Sequence, residues 1–321
     1  MAGIREVARE AGVSISTVSY ALNGSDKISE ETRLRVQEIA KGLGYTPKLA
    51  ARTLKGSKTN IVGVYISGFQ GEFYGELLDG MQHQFELLGY DMMVSSGSRT
   101  HKFLSEKLFD GAIVMDYKFH NDEVLEVLNQ GNKLVLLDRE IEHDGARSVL
   151  LDNAQGSKKA VNYLLAQELD KYYVISGPKG NYDVDSRLAA ALQTFSEVDK
   201  PVEILDGDFT EASGFEAAAK LFALHNQQQS IGMYALNDNE AMGFYRYAQE
   251  HQLQQELASR FKLVGFDNNH SADFLSPVLP SISYHKHIWG EKAAQTLVDL
   301  IEEKKAVQNQ WIKTELSFRE S

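Results

Sequence analysis

Apolar positions change their spacing once along the chain, and the change divides it. Up to about residue 45 they recur every three to four positions. Ile4, Val7, Ala8 and Ala11 predict a short amphipathic helix over Ile4–Ala11. Gly12 supplies the positive φ that ends such a helix sharply. Ser14 is placed to cap a second helix, with Val18, Ala21 and Leu22 facing inward and Asn23-Gly24 as its stop. A third helix follows Ser29, with Glu30 and Glu31 in its first turn, Val36, Ile39, Ala40 and Leu43 on one face, and Pro47 as its end. Two short helices joined by a tight glycine turn and braced by a third make a helix-turn-helix, whose second helix enters the DNA major groove. The same pattern also describes a plain three-helix cap.

From Asn60 the pattern becomes blocks of continuous apolar residues. Ile61–Ile66 reads as a strand buried on both faces. Helix Phe73–Leu88, strand 91–95, helix 102–108, strand 112–115, helix 122–129 and strand 134–137 follow, then an edge segment at 149–151. The alternation restarts with helix 154–167, strand 172–175, helix 187–195 and strand 202–205. Helix Glu211–Leu224, strand 231–236, helix 239–250 and strand 263–266 continue it. Alternating strands and helices imply parallel sheets covered on both faces. Two such runs give two Rossmann-like subdomains with a cleft at the carboxyl ends of their strands. Residues just past strand ends, at 67–73, 95–97, Asp138, Asn237 and Asp267, would meet a cleft ligand.

Charge sharpens the division. The first 60 residues carry ten Lys/Arg and six Asp/Glu, whereas the chain as a whole is at −12. A basic module on an acidic body fits a phosphate-binding head. With no cysteine, disulfide, zinc-thiolate and cysteine-nucleophile chemistry are excluded. No apolar run approaches a membrane span and no apolar segment opens the chain, so a cytoplasmic protein without membrane contact is expected. No Gly-x-Ser-x-Gly elbow, P-loop or dinucleotide-binding glycine turn occurs, and neither enzymatic activity, a cofactor nor a metal is expected. The alternation of His285 and His287 suits a strand end better than a metal cage.

Short motifs then carry a resemblance. Ile4-Arg5-Glu6-Val7-Ala8-Arg9-Glu10-Ala11-Gly12-Val13-Ser14, Thr17-Val18-Ser19, Leu22-Asn23-Gly24, Ser29-Glu30-Glu31-Thr32-Arg33 and Leu43-Gly44-Tyr45-Thr46-Pro47, in this order and spacing, resemble the head of the LacI/GalR (lactose repressor) family of bacterial transcription regulators. The likeness continues in Asp110-Gly111-Ala112-Ile113-Val114, Leu137-Asp138-Arg139, Asp152-Asn153, Ser176-Gly177-Pro178, Gly207-Asp208-Phe209, Asn237-Asp238, Met242-Gly243 and Val264-Gly265-Phe266-Asp267. It implies an all-α helix-turn-helix head at 1–46, a hinge helix and tether at 47–59, and a periplasmic-binding-protein-like α/β core at 60–321. Within that core it implies a first subdomain of 60–151 plus 284–312 and a second of 152–283 plus 313–321.

The resemblance also implies residue roles. In the head, Ser14, Ile15, Ser16, Thr17, Ser19, Tyr20 and Asn23 fall on the DNA face. Ile15, Ser16 and Tyr20 match base-contacting positions, while Thr17 and Ser19 suit phosphates, which fix register without reading sequence. Many relatives carry Arg where Tyr20 stands, and Arg pairs with guanine in a bidentate way that Tyr cannot. In the hinge, Ala51, Leu54 and Lys55 match the minor-groove segment, with Leu54 as the wedge that kinks the duplex. In the cleft, Asp138, Phe209, Asn237 and Asp267 match effector-holding positions, and Phe73 and Trp289 are candidate walls. Asp138 and Asp267 would also serve as turn caps, and Phe209 and Trp289 as plain core. Relatives show Asn-Pro-Phe-Phe where this chain has Gly71-Glu72-Phe73-Tyr74, and the segment between Gly97 and Asp110 is shorter than usual. The family's ligand-clamping arginine aligns with Asp185 without gaps and with Arg187 if two residues are inserted; both remain open.

The expected function is a homodimeric, sequence-specific DNA-binding repressor of carbohydrate-utilisation genes. A neutral sugar in the core cleft would switch it allosterically. An alternative keeps the regulator and makes its signal a phosphoprotein, as in the catabolite-control branch of the family.

Overall fold

The computed structural model describes residues 3–22, 27–45, 58–69, 72–224, 228–304 and 307–318, and the chain divides into two units, Met1–Thr59 and Asn60–Ser321. In the first, helix α1 (Ile4–Ala11) closes on Gly12, whose φ of +64° turns its N–H back onto the Ala8 and Arg9 carbonyls. Helix α2 (Ile15–Leu22) begins where the Ser14 hydroxyl accepts the Thr17 N–H at 3.1 Å. Helix α3 (Glu30–Gly42) begins in the same way, with Ser29 accepting the Thr32 N–H at 3.3 Å. Val7, Ala8, Ala11, Val18, Ala21, Val36 and Ala40 form the small buried core. Helix α3 stops at Gly42, ahead of Pro47: the chain turns at Gly44, with φ +60°, so proline is not the terminator. Asn23-Gly24, Pro47 and the hinge candidates Ala51, Leu54 and Lys55 lie outside the described residues.

The second unit holds two six-stranded sheets. The first is built from β1 (Ile61–Ile66), β2 (Asp91–Ser96), β3 (Gly111–Met115), β4 (Leu134–Leu136), β5 (Ala146–Leu151) and one strand from the far end of the chain. Its helices are α4 (Phe73–Leu88), α5 (Lys102–Ser105) and α6 (Asn121–Asn129). Helix α7 (Asn153–Leu165) then enters the second half. There β6 (Lys171–Ile175), α8 (Tyr182–Glu197), β7 (Glu203–Leu205), α9 (Glu211–Leu224) and β8 (Ile231–Ala235) are followed by α10 (Asp238–Glu250), α11 (Gln254–Arg260), β9 (Phe261–Phe266) and β10 (Ser281–Ser283). Helix α12 (Lys286–Ile301) returns to the first half and packs on α4, β11 (Gln310–Ile312) joins the first sheet, and β12 (Glu315–Ser317) ends in the second. Strand orders are β11-β5-β4-β3-β1-β2 and β12-β10-β9-β8-β6-β7. All neighbours are parallel except β10 and β12.

Several expectations need correction. The segment at 149–151 is not an edge: β5 starts at Ala146, and β11 pairs outside it with Trp311 opposite Leu150. Helix α8 starts five residues earlier than its apolar spacing predicts, because Asn181 caps it by accepting the Val184 N–H at 3.1 Å. His285 and His287 stand at the start of α12 rather than at a strand end.

Candidate functional site

On the head, burial divides α2 by face. Val18 and Ala21 point inward, while Ser14, Ile15, Ser16 and Tyr20 are exposed and Thr17 and Ser19 are half-buried. An exposed isoleucine (40%) and tyrosine (38%) cover little core, so this face is presented outward. Tyr20 is not among the residues packed on the head's core, and the Lys27 ammonium lies 5.4 Å from its ring centroid. Ser14 has a second task as the α2 cap, and its hydroxyl also meets that of Thr17 at 2.9 Å.

In the core, a cleft of about 560 Å³ opens at the carboxyl ends of strands from both sheets. One wall carries Ser67, Phe73, Tyr74, Tyr117, Lys118 and Asp138; the other carries Asp183, Arg187, Asp208, Phe209, Asn237 and Asp267. Each strand delivers its residues where the backbone leaves the sheet, and the chain there is free to turn toward the ligand.

Arg187 is the buried cation of the cleft. Its Nε donates to Asn153 Oδ1 at 2.8 Å, one Nη donates to the Leu236 carbonyl at 2.7 Å, and its plane lies 3.6 Å from the Phe266 ring centroid. Asp267 is 3.8 Å from the guanidinium. Burial works against the charge on Arg187, but Asp267 and Asp183 outweigh it and hold the group above its ordinary value. Asp267 sits at φ +100°, and its Oδ1 accepts the Tyr284 hydroxyl at 2.8 Å. Asp183 accepts a hydrogen bond from Asn153 Nδ2 at 2.7 Å, and burial lifts its carboxyl above the ordinary range despite Arg187.

Asp138 and Asn237 reach the cleft with part of their capacity spent. Arg139 grips both oxygens of Asp138, at 2.9 and 2.8 Å, while also binding the Asp116 and Phe119 carbonyls. Burial still raises the Asp138 carboxyl. Asn237 caps α10 by accepting the Glu240 N–H at 2.9 Å, and its amide donates to the Phe209 carbonyl at 3.0 Å. Phe209 stands at φ +68° with its N–H held by buried Glu240, so its loop is pinned from both sides.

Trp289 does not wall the cleft. It is fully buried, with Nε1 donating to the Val149 carbonyl at 2.8 Å, and it meets Phe73 edge-on from one layer behind. Phe73 itself lines the cleft. Of the two candidate clamps, Arg187 faces the cleft and Asp185 is exposed outside it. Sequence reasoning missed Asp183, Tyr74, Tyr117 and Lys118. The Asn181 cap signal would have extended α8 back to Asp183. Burial pushes the Tyr74 hydroxyl up to about 12, so it remains a neutral donor.

The model for bacterial regulatory proteins of the lacI family matches residues 3–48, and that for a periplasmic binding protein-like domain matches 161–321. The repressor PurR of Klebsiella pneumoniae is 30% identical over 95% of this chain and 92% of its own. The chain belongs to the LacI family. Another member, the transcriptional regulator RegA of Clostridium saccharobutylicum, is 29% identical over 99% of this chain and 98% of its own. A LacI-family sugar-binding regulator from Enterococcus faecalis superimposes with a TM-score of 0.76 at 37% identity, over 81% of this chain and 96% of that one. Within this LacI-family chain, the helix-turn-helix is the DNA-binding module and the α/β core is the periplasmic-binding-protein-like part. Among the described residues no helix is long and apolar enough to cross a membrane.

Proposed function

We propose that this protein is a sequence-specific repressor of carbohydrate-utilisation genes, working as a homodimer on operator DNA and switched by a small sugar in the core cleft. The exposed face of α2, with Ile15, Ser16 and Tyr20, would read bases, and Thr17 and Ser19 would contact phosphates. Ala51, Leu54 and Lys55 would form the minor-groove hinge. The first half carries exposed apolar residues on neighbouring elements, Leu87 on α4 and Met93 on β2, which supports pairing of two copies there.

The observation that carries the effector is the polar set in the cleft. Asp183, Asp267 and Asp138 accept hydrogen bonds, Tyr74 donates, and Phe209 offers a ring face. Arg187 is already committed to Asn153, Leu236 and Asp267, so an anionic ligand would meet mostly carboxylates. The Enterococcus faecalis relative, whose description is sugar-binding, supports the same class. A nucleobase is the second reading. Phe73, Tyr74 and Tyr117 line one half of the cleft and Phe209 the other, so aromatic rings stand on both sides.

Thermal unfolding with neutral mono- and disaccharides, sugar phosphates and purines separates these readings. A sugar at a hundred times its dissociation constant should stabilise the core by about 2.7 kcal/mol. Stabilisation by a purine alone would favour the second reading, and stabilisation by a sugar phosphate alone would overturn both. Asp267→Asn, which keeps an acceptor for Tyr284 and tolerates positive φ, should weaken the response without unfolding the core.

A further inference from the structure

Behind the cleft wall lies a cluster the effector reading does not use. His101 is buried where the short segment leading into α5 crosses the end of β3. Its ring stacks on Phe119 at 3.8 Å with 12° between planes, and Tyr65 meets it edge-on at 5.7 Å. Its Nδ1 is 3.2 Å from Glu123 Oε2 on α6, and its Nε2 is 3.5 Å from Asp116 Oδ2. That Nε2 and that Oδ2 are sealed from solvent and make no hydrogen bond among the described residues, while Ser67 also helps to hold the Asp116 carboxyl low. The other Asp116 oxygen accepts the Lys118 N–H at 3.1 Å, forming the turn whose Tyr117 and Lys118 line the cleft.

We propose that His101 is a proton-gated staple: as an imidazolium it ties the shortened wall segment to Asp116 and Glu123 together, and so positions the Tyr117–Lys118 turn of the cleft. A neutral imidazole has one N–H, so one of the two carboxylates then faces a nitrogen lone pair. An imidazolium donates to both. Imidazole is the side chain whose charge changes most readily near neutral pH, so loss of one of its two protons loosens the wall.

The surrounding groups are consistent with this. Asp116 at the end of β3 and Glu123 on α6 supply the carboxylates. The Tyr65 hydroxyl on β1 donates to the Thr100 carbonyl and is held neutral by burial. Arg139, after β4, spends its guanidinium on Asp138 and on the Asp116 and Phe119 carbonyls. Lys102 follows His101 on its own segment and lies near the Phe103 ring. Burial works against the Asp116 charge, but His101 and the Lys118 amide outweigh it and hold the carboxyl low.

The consequence for regulation rests on the cleft being the effector site; the staple itself is testable without any effector. Hydrogen exchange of the full chain at pH 6 and pH 8, corrected for intrinsic rates, reads it directly. In wild type, protection of 98–105 and 116–119 should be about tenfold lower at pH 8, the scale on which hydrogen bonds to charged groups act. Protection of β8 in the other half should not change. His101→Gln should remove the difference. Equal protection at the two pH values in wild type, or an undiminished difference in His101→Gln, overturns the proposal. If His101→Gln does not fold, Glu123→Gln, at a largely exposed position, should shrink the difference, and an unchanged difference there overturns it as well. Failure of the sugar panel would leave this result standing, and the reverse also holds.

Discussion

Single residues here carry more than one duty, and variants separate them. Tyr20 is exposed on the outward face of α2, away from the head's core. Tyr20→Ala should weaken specific operator binding by about 1–3 kcal/mol, the range for a base contact, and leave non-specific binding nearly unchanged. Titration of matched operator and random duplexes at one salt concentration reads both, and equal losses would make Tyr20 structural. Glu240 is fully buried; its Oε1 accepts the Phe209 N–H and its Oε2 has no hydrogen-bond partner among the described residues. Burial lifts its carboxyl well above the ordinary 4.5, despite bonds from Phe209 and Ser213 that oppose the shift. The folded state therefore binds this proton more tightly than the unfolded state does. The resulting stability is present below pH 4.5 and is lost as pH rises through the folded-state value. Glu240→Gln mimics the neutral form and should be more stable than wild type at pH 8, with the gap narrowing toward pH 5. Denaturant unfolding at the two pH values checks this, and a constant gap would assign the effect to packing.

Helices pair by the same device in both halves. A Cβ on Gly80 of α4 would strike the His287 carbonyl, and one on Gly290 of α12 the Leu77 carbonyl; Gly214 of α9 and Gly243 of α10 stand likewise against Glu240 and Glu211. Bare backbone on each helix lets its partner approach closely, and the buried apolar faces follow. Gly80→Ala should cost about 1–3 kcal/mol or more through overpacking, outweighing alanine's better helix propensity, and chemical unfolding that showed a gain would refute the close approach. Legibility in the sequence follows from periodicity. Elements with a long run of regular apolar spacing, such as Ile61–Ile66, Phe73–Leu88 and Glu211–Leu224, are found where the pattern puts them. The three-residue strands β10 and β11 are too short to carry a period, and α12, with Trp289, Ala293, Ala294, Leu297 and Val298 buried, has too little polar contrast around its axis. In the cleft, strand-end position pointed to Asp138, Asn237 and Asp267. Asp183 and Tyr74 lie within helical turns, where alternation carries no signal.

For the core as a whole, two sheets are joined by crossings that lie side by side. The Asp152 N–H donates to the Ile312 carbonyl at 2.9 Å, Thr314 Oγ1 donates to the Asp152 carbonyl at 3.0 Å, and Lys286 donates to the Asp267 carbonyl at 2.6 Å. A bundle of this kind lets the halves rotate while staying connected.

Away from the crossings, contacts span the two halves in the region where the chain departs from its relatives' Asn-Pro-Phe-Phe; His270 Nε2 of the loop after β9, for one, lies 3.9 Å from Glu76 Oε1 on α4. Glu72, just before α4, accepts the Ser271 N–H of the loop after β9 at 3.1 Å. The bond exists only while the halves stand this close, so it favours the closed cleft over an open one. Its net worth in an exposed setting is about 0.5–1.5 kcal/mol. Glu72→Ala should therefore weaken binding of whichever sugar the thermal panel selects by roughly twofold to tenfold, without touching any group that lines the cleft. Glu72→Gln, which keeps an acceptor oxygen, should recover most of that affinity. Calorimetric titration of the three proteins decides it. Wild-type affinity in Glu72→Ala would show that the contact does not bias closure, and equal losses in both variants would place the effect in the charge of Glu72 rather than in its bond to Ser271.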